Sequence, residues 1–107
     1  QPEPGLALLS MGKRDVAYDL DLPQPVWRSD GQGGVPGPVP EHWRIDALND
    51  QHAYLSFDAS SPPSEWPRLG ETVASGISHP CTTFDKWRWL PVVDDCYAVV
   101  DAVTTWF

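Results

Sequence analysis

The chain has 107 residues, of which 41% are hydrophobic and six are Trp. That is enough for one small globular domain, in a size class that buries about 60–70% of its unfolded surface, with large aromatic anchors. A formal charge of -8 with only seven Lys and Arg speaks against the phosphate-driven binding of nucleic acid or anionic membrane.

In chain order, Gly5 to Met11, "GLALLSM", is a short apolar run that predicts a buried strand ending at Gly12. The next stretch, "GKRDVAYDLDLPQP", alternates through Val16, Tyr18, Leu20 and Leu22 until Pro23 and Pro25 stop it. A two-residue period of this kind predicts a half-buried strand, placed at a sheet edge. Gln32 to Pro40, "QGGVPGPVP", is a Gly/Pro loop.

"EHWRIDALNDQHAYLSFD" then carries two alternating runs. Trp43, Ile45 and Ala47 precede Asn49-Asp50, and either His52, Tyr54 and Ser56 or Ala53, Leu55 and Phe57 follow it. This predicts a hairpin. "ASSPPSEWPRLGE" is a second loop, and "TVASGISHPC" predicts a strand running into His79-Pro80-Cys81. The last stretch, "KWRWLPVVDDCYAVVDAVTTWF", alternates Val and aromatics around Asp94-Asp95, which predicts a hairpin closing the sheet.

No helical period is sustained over three turns, and no internal repeat is present. The expected fold is mostly β, a small antiparallel β-barrel or sandwich of about seven or eight short strands with long Gly/Pro loops. No apolar run reaches the length of a membrane span, and "QPEPGLALLSMGKRD" lacks the features of a signal peptide. A cytoplasmic protein is therefore expected. The strand reading begins almost at the first residue, so the chain is also expected to be a piece of a longer protein.

The chemistry concentrates at His79 and Cys81. On an extended strand these two residues share a face while Pro80 points away and stiffens the pair. Imidazole nitrogen and thiolate sulfur are both good zinc donors, and two protein ligands leave positions open for water or substrate, as at a catalytic ion. The plain alternatives are a buried Cys acting as a small hydrophobe, or a Cys81–Cys96 disulfide, which a chain without secretory features does not favour. His52, Asp85 and Cys96 are further candidate ligands, none in a recognised spacing with His79.

Gly12-Lys13-Arg14-Asp15 reads first as a solvated turn and second as a holder of phosphate or carboxylate. Asp94, Asp95 and Asp101 read as turn and edge residues. His42 reads as an ordinary surface histidine. No Ser-His-Asp set, phosphate loop or dinucleotide fingerprint occurs.

"GISHPCTTFDKWRWLPVVDD" and "YAVVDAVTTWF", with "MGKRDVAYDLDLP" and "NDQHAYL" upstream, resemble the C-terminal domain of the D-serine dehydratase and D-threonine aldolase family. The likeness covers nearly the whole chain, 1–107 as one domain. It implies a fold-type III pyridoxal phosphate (PLP) enzyme, in which an alanine-racemase-like N-terminal barrel carries the PLP lysine and a β domain closes the site.

The family's metal motif is His-x-Cys in the dehydratase branch and His-x-Asp in the aldolase branch, so the resemblance implies His79 and Cys81 as zinc ligands and leans toward dehydratase chemistry, with D-threonine aldolase-like cleavage of the α–β carbon bond as the other branch. Asp50 to His52 is similar to a Glu-His or Gln-His pair of the family. By the same implication, PLP takes up the electrons released at the α-carbon of a D-amino acid while zinc acts on its β-hydroxyl. Catalytic residues are expected in the barrel, not in this chain, and neither Lys13 nor Lys86 takes the PLP role. The implied partners are that barrel, a small D-amino acid, and a second copy in a homodimer. The reading from another class is a non-catalytic β-rich interaction module that binds protein through exposed Trp residues.

Overall fold

The computed structural model describes residues 3–30, 36–96 and 98–105. Positions 32–35 of the expected Gly/Pro loop, and Tyr97, Trp106 and Phe107 of the expected last hairpin, lie outside the described residues.

The central hairpin forms as the alternation predicts. β4 (Arg44–Leu48) and β5 (Ala53–Ser56) pair antiparallel, and the turn between them is held by the Asn49 side chain, whose Oδ1 accepts from the amides of Gln51 and His52. β1 (Leu6–Leu9) adds to the other side of β5, giving the order β1-β5-β4. The apolar phase of the hairpin faces inward: Trp43, Ile45, Ala53, Leu55 and Phe57 are the buried cluster. Full burial of Ile45 and Leu55 stabilises the fold by about 1.5–3 kcal/mol for each side chain. Ala47 falls out of phase and is exposed because the register shifts between Ile45 and Ala47.

The second sheet has the order β3-β2-β6, with β2 (Gln24–Ser29) at its centre between β3 (Gly37–Pro38) and β6 (Thr72–Gly76). The two prolines that were expected to stop a strand instead lead into this one. Pro25 lies where the register against β6 shifts, between Pro25 and Trp27, and a bulge is a place where a missing N–H costs little.

The edge strand expected around Val16 to Leu22 does not form, because its amides are engaged elsewhere. Lys13 and Arg14 donate to the carbonyls of Asn49 and Asp50, at 2.9 and 3.1 Å, and Ala17 donates to Thr83 Oγ1 at 2.8 Å. Ala17 is the buried residue of the segment, whereas Tyr18 and Leu20 of the apparent apolar phase are exposed.

Two devices join the sheets. Val39 and Val73 of the second sheet's side pack on the buried cluster of the first. The Gln24 amide also reaches across from β2 to β4, donating to the Ile45 carbonyl and accepting from the Ile45 N–H, both at 3.0 Å. The loop from 58 to 71, which includes a short 3-10 turn at Pro63–Glu65, is pinned down by indole and guanidinium groups. Trp43 Nε1 donates to the Glu65 carbonyl and Trp66 Nε1 to that of Ser61. Arg28 forks onto Glu71, reaches the Trp66 carbonyl and lies over the Trp43 ring, 4.6 Å from its centre.

The result is sandwich-like and antiparallel, without a closed barrel. The last hairpin, β7 (Trp89–Val93) with β8 (Val99–Thr104), forms as expected but does not close either sheet. It stands as a two-stranded sheet of its own. No helix among the described residues is long and apolar enough to cross a membrane.

Candidate metal centre

β6 ends at Gly76, and the chain bends through Ser78 before a two-turn helix, α1 (Pro80–Lys86). The strand expected over "TVASGISHPC" therefore forms as β6 but stops short of His79-Pro80-Cys81. His79 stands at the N-cap position with φ -136° and ψ 85°, and Pro80 opens the helix. That placement follows from proline chemistry: a fixed φ suits the first helical turn, where its missing N–H has no helical partner to lose. His79 and Cys81 thus flank Pro80 at a helix start, at the N-cap and the second helical position, and do not share a pleated strand face.

The segment 15–21 laces α1 to the body. Thr83 Oγ1 accepts from Ala17 N–H, Trp87 Nε1 donates to the Asp15 carbonyl at 2.6 Å, and Ser78 Oγ donates to the Asp21 carbonyl at 3.1 Å. In the middle of this lacing, His79 Nδ1 lies 2.6 Å from Asp19 Oδ2. The other oxygen of Asp19 is 3.1 Å from Thr82 Oγ1, a hydroxyl that is equally close to the His79 carbonyl and has one proton to give. The hydrogen bond from His79 holds the Asp19 carboxyl below the ordinary carboxylate range against the opposing cost of desolvation, with a lesser contribution from Thr82. Cys81 is a free, exposed thiol.

A family model described as "Putative serine dehydratase domain" matches residues 1–93. The chain belongs to this family. The match runs from β1 to the end of β7, so it takes in His79, Cys81 and Asp19 and stops before β8. No curated protein matches the chain.

In this serine dehydratase domain the donor chemistry at α1 fits zinc as a partial site. With Nδ1 occupied by Asp19, the ring nitrogen left for a metal is Nε2 of a partly exposed imidazole, close in sequence to an accessible thiol. Among the described residues no three His, Cys, Asp or Glu side chains are gathered where one ion could join them. The other expected ligands are thus not assembled with His79. His52 is exposed in the β4–β5 turn, Asp85 is exposed on α1, and Cys96 is a free thiol in the β7–β8 turn.

The stretches "MGKRD" and "NDQH", far apart in sequence, meet in the domain. A Cβ on Gly12 would lie 2.5 Å from the backbone of Asp50 and Gln51, so only glycine allows the two loops to touch. Lys13 and Lys86 both place their ammonium groups near the Tyr18 ring, 5.4 and 5.5 Å from its centre. Arg14 is exposed. Asp94 acts as the turn residue it was expected to be, its Oδ1 accepting from the amides of Cys96 and Ala98, and Asp101 accepts from Ala102 N–H. His42 Nδ1 accepts from Asp58 N–H while its Nε2 is 3.8 Å from Glu65, which makes it a loop fastener. An open apolar groove between β1 and β6, lined by Leu8, Leu9, Met11, Leu69 and Val73, does not include His79 or Cys81.

Asp19 is the site residue that sequence reasoning missed. A metal-binding histidine commonly has a carboxylate behind it, but a partner sixty positions away leaves no spacing signal to read.

Proposed function

We propose that this chain is the zinc-binding C-terminal β domain of a PLP-dependent lyase that eliminates the β-hydroxyl of a D-amino acid, with His79 Nε2 and Cys81 Sγ as the zinc ligands. The observation that carries the reading is the pairing of a His ring fixed through Nδ1 with an accessible thiol, inside a chain that belongs to a serine dehydratase domain family. Zinc bound there supplies a Lewis acid to a substrate hydroxyl. The chain's own part is to hold the ligands: α1 sets their separation, and segment 15–21 keeps the imidazole from turning. Two protein ligands leave positions for substrate oxygen, which is why the site fits dehydration better than a purely structural ion. PLP and its lysine are assigned to an N-terminal barrel, which would be this domain's partner, and the assembly to a homodimer in the cytoplasm.

Elemental analysis of the purified chain beside its His79→Ala and Cys81→Ala variants tests the assignment. Stoichiometric zinc in the wild type, lost in both variants, is expected. Equal metal content in all three proteins would sink it.

A further inference from the structure

We propose that Asp19 is the positioning residue of His79, fixing the tautomer that turns the Nε2 lone pair outward and thereby setting the domain's affinity for zinc. This rests on the reading of His79 as a zinc ligand. A carboxylate can only accept a hydrogen bond, so at 2.6 Å from Asp19 Oδ2 the ring proton belongs on Nδ1. The opposite tautomer would set the Nδ1 lone pair against a carboxylate oxygen at that distance, which is repulsive. In a neutral ring the choice is exclusive: a proton on Nδ1 leaves Nε2 as the only donor to a metal.

The geometry is over-determined in a way that a chance surface contact would not be. The second carboxylate oxygen is held by Thr82, the residue that follows Cys81 in α1. The flanks of Asp19 are fastened on both sides, at Ala17 to Thr83 and at Asp21 to Ser78. The backbone on both sides of Asp19 is therefore tied to the segment that carries His79 and Cys81, and its carboxylate bonds that segment at two points. One segment thus holds both the ring that binds and the helix on which the thiol is carried.

The experiment has two arms on the chain itself. In the metal-free protein, long-range proton–nitrogen NMR at a pH well above the histidine range reads the His79 tautomer. The Nδ1–H form is expected in the wild type, and loss of that bias in Asp19→Asn, whose amide can also donate. Zinc affinity is then measured by competition with a chromophoric chelator, where Asp19→Asn is expected to bind about 10–100-fold more weakly and Asp19→Glu to recover part of the loss. Unchanged circular dichroism and melting temperature separate this from unfolding, and Asp19→Glu serves as the second variant if Asp19→Asn proves unstable.

An Nε2–H tautomer in the wild type overturns the inference, and so does an Asp19→Asn protein that binds zinc as tightly as wild type. If the wild type holds no more zinc than His79→Ala and Cys81→Ala, the zinc-ligand reading fails and the affinity effect with it. The tautomer measurement then shows separately whether Asp19 orients the ring.

Discussion

Gln24 illustrates how single polar side chains hold this small domain together. Its amide satisfies both backbone groups of Ile45, a residue whose side chain lies at the centre of the core. Gln24→Leu keeps the approximate volume but leaves a buried N–H and C=O without partners, at a cost of about 1–3 kcal/mol. Urea unfolding followed by Trp fluorescence should show a lower midpoint with little change in slope. An unchanged midpoint would mean that the two sheets do not depend on this bridge. Arg28 works in the same manner on the other side of the core, since Glu71, with only 5% of its side chain exposed, meets it with both carboxylate oxygens. At this scale the sequence was informative where chemistry is local, as with Asn49 and Asp94 in their turns. It was silent where a partner is distant, as with Asp19 and His79 or Gln24 and Ile45. Hydrogen bonds between residues many positions apart leave no period or spacing in a chain, so only the fold brings them to view.

Among the elements, the two loops that meet at Gly12 are the most constrained. Backbone against backbone at 2.5 Å from a notional Cβ means that Gly12→Ala must push the 12–15 turn away from the 49–51 turn. The amides of Lys13 and Arg14 would then lose their carbonyl acceptors. A cost of about 1–3 kcal/mol follows from forced overpacking, which for a domain of this size lowers the melting temperature by on the order of 4 °C or more. Thermal unfolding by calorimetry checks this, and a wild-type melting temperature would show that the loops part freely. The element reading succeeded for β1, an apolar run that ends at Gly12, and for the β4–β5 and β7–β8 hairpins, which have alternation and a turn signal. It failed at β2 and α1, and proline is responsible in both. In β2 a bulge absorbs the missing donor, and in α1 proline opens a helix too short to display a 3.6-residue period.

For the whole molecule, the buried core of the described residues belongs to two sheets, and those of the third contribute nothing to it. Trp89 is 57% exposed and Val99 and Val100 are each 63% exposed, and the hydrogen bonds at the hairpin's open end, from Thr105 to Arg88 and Trp87, extend its own pairing and do not tie it to the other sheets. A two-stranded sheet without a covered face is marginal in water. Native-state hydrogen exchange should therefore show the β7–β8 amides opening at far lower free energy than those of β4 and β5, which should approach global unfolding. Equal protection across all three sheets would contradict this division. The apolar alternation of this stretch predicted a hairpin correctly but could not say which elements would lie against it. Pattern reports that a face is apolar, whereas the partner that covers it is set by topology.

The lacing of α1 by residues 15–21 bears on how far the His-x-Cys motif can be moved. Its backbone shape comes from Pro80, but its orientation comes from Asp15, Ala17, Asp19 and Asp21, which lie on a separate stretch of chain. Transplanting residues 79–81 alone onto another scaffold would carry the two donor atoms and none of what aims them. The smallest portable unit is two segments, and any engineering of this centre has to treat them as one part.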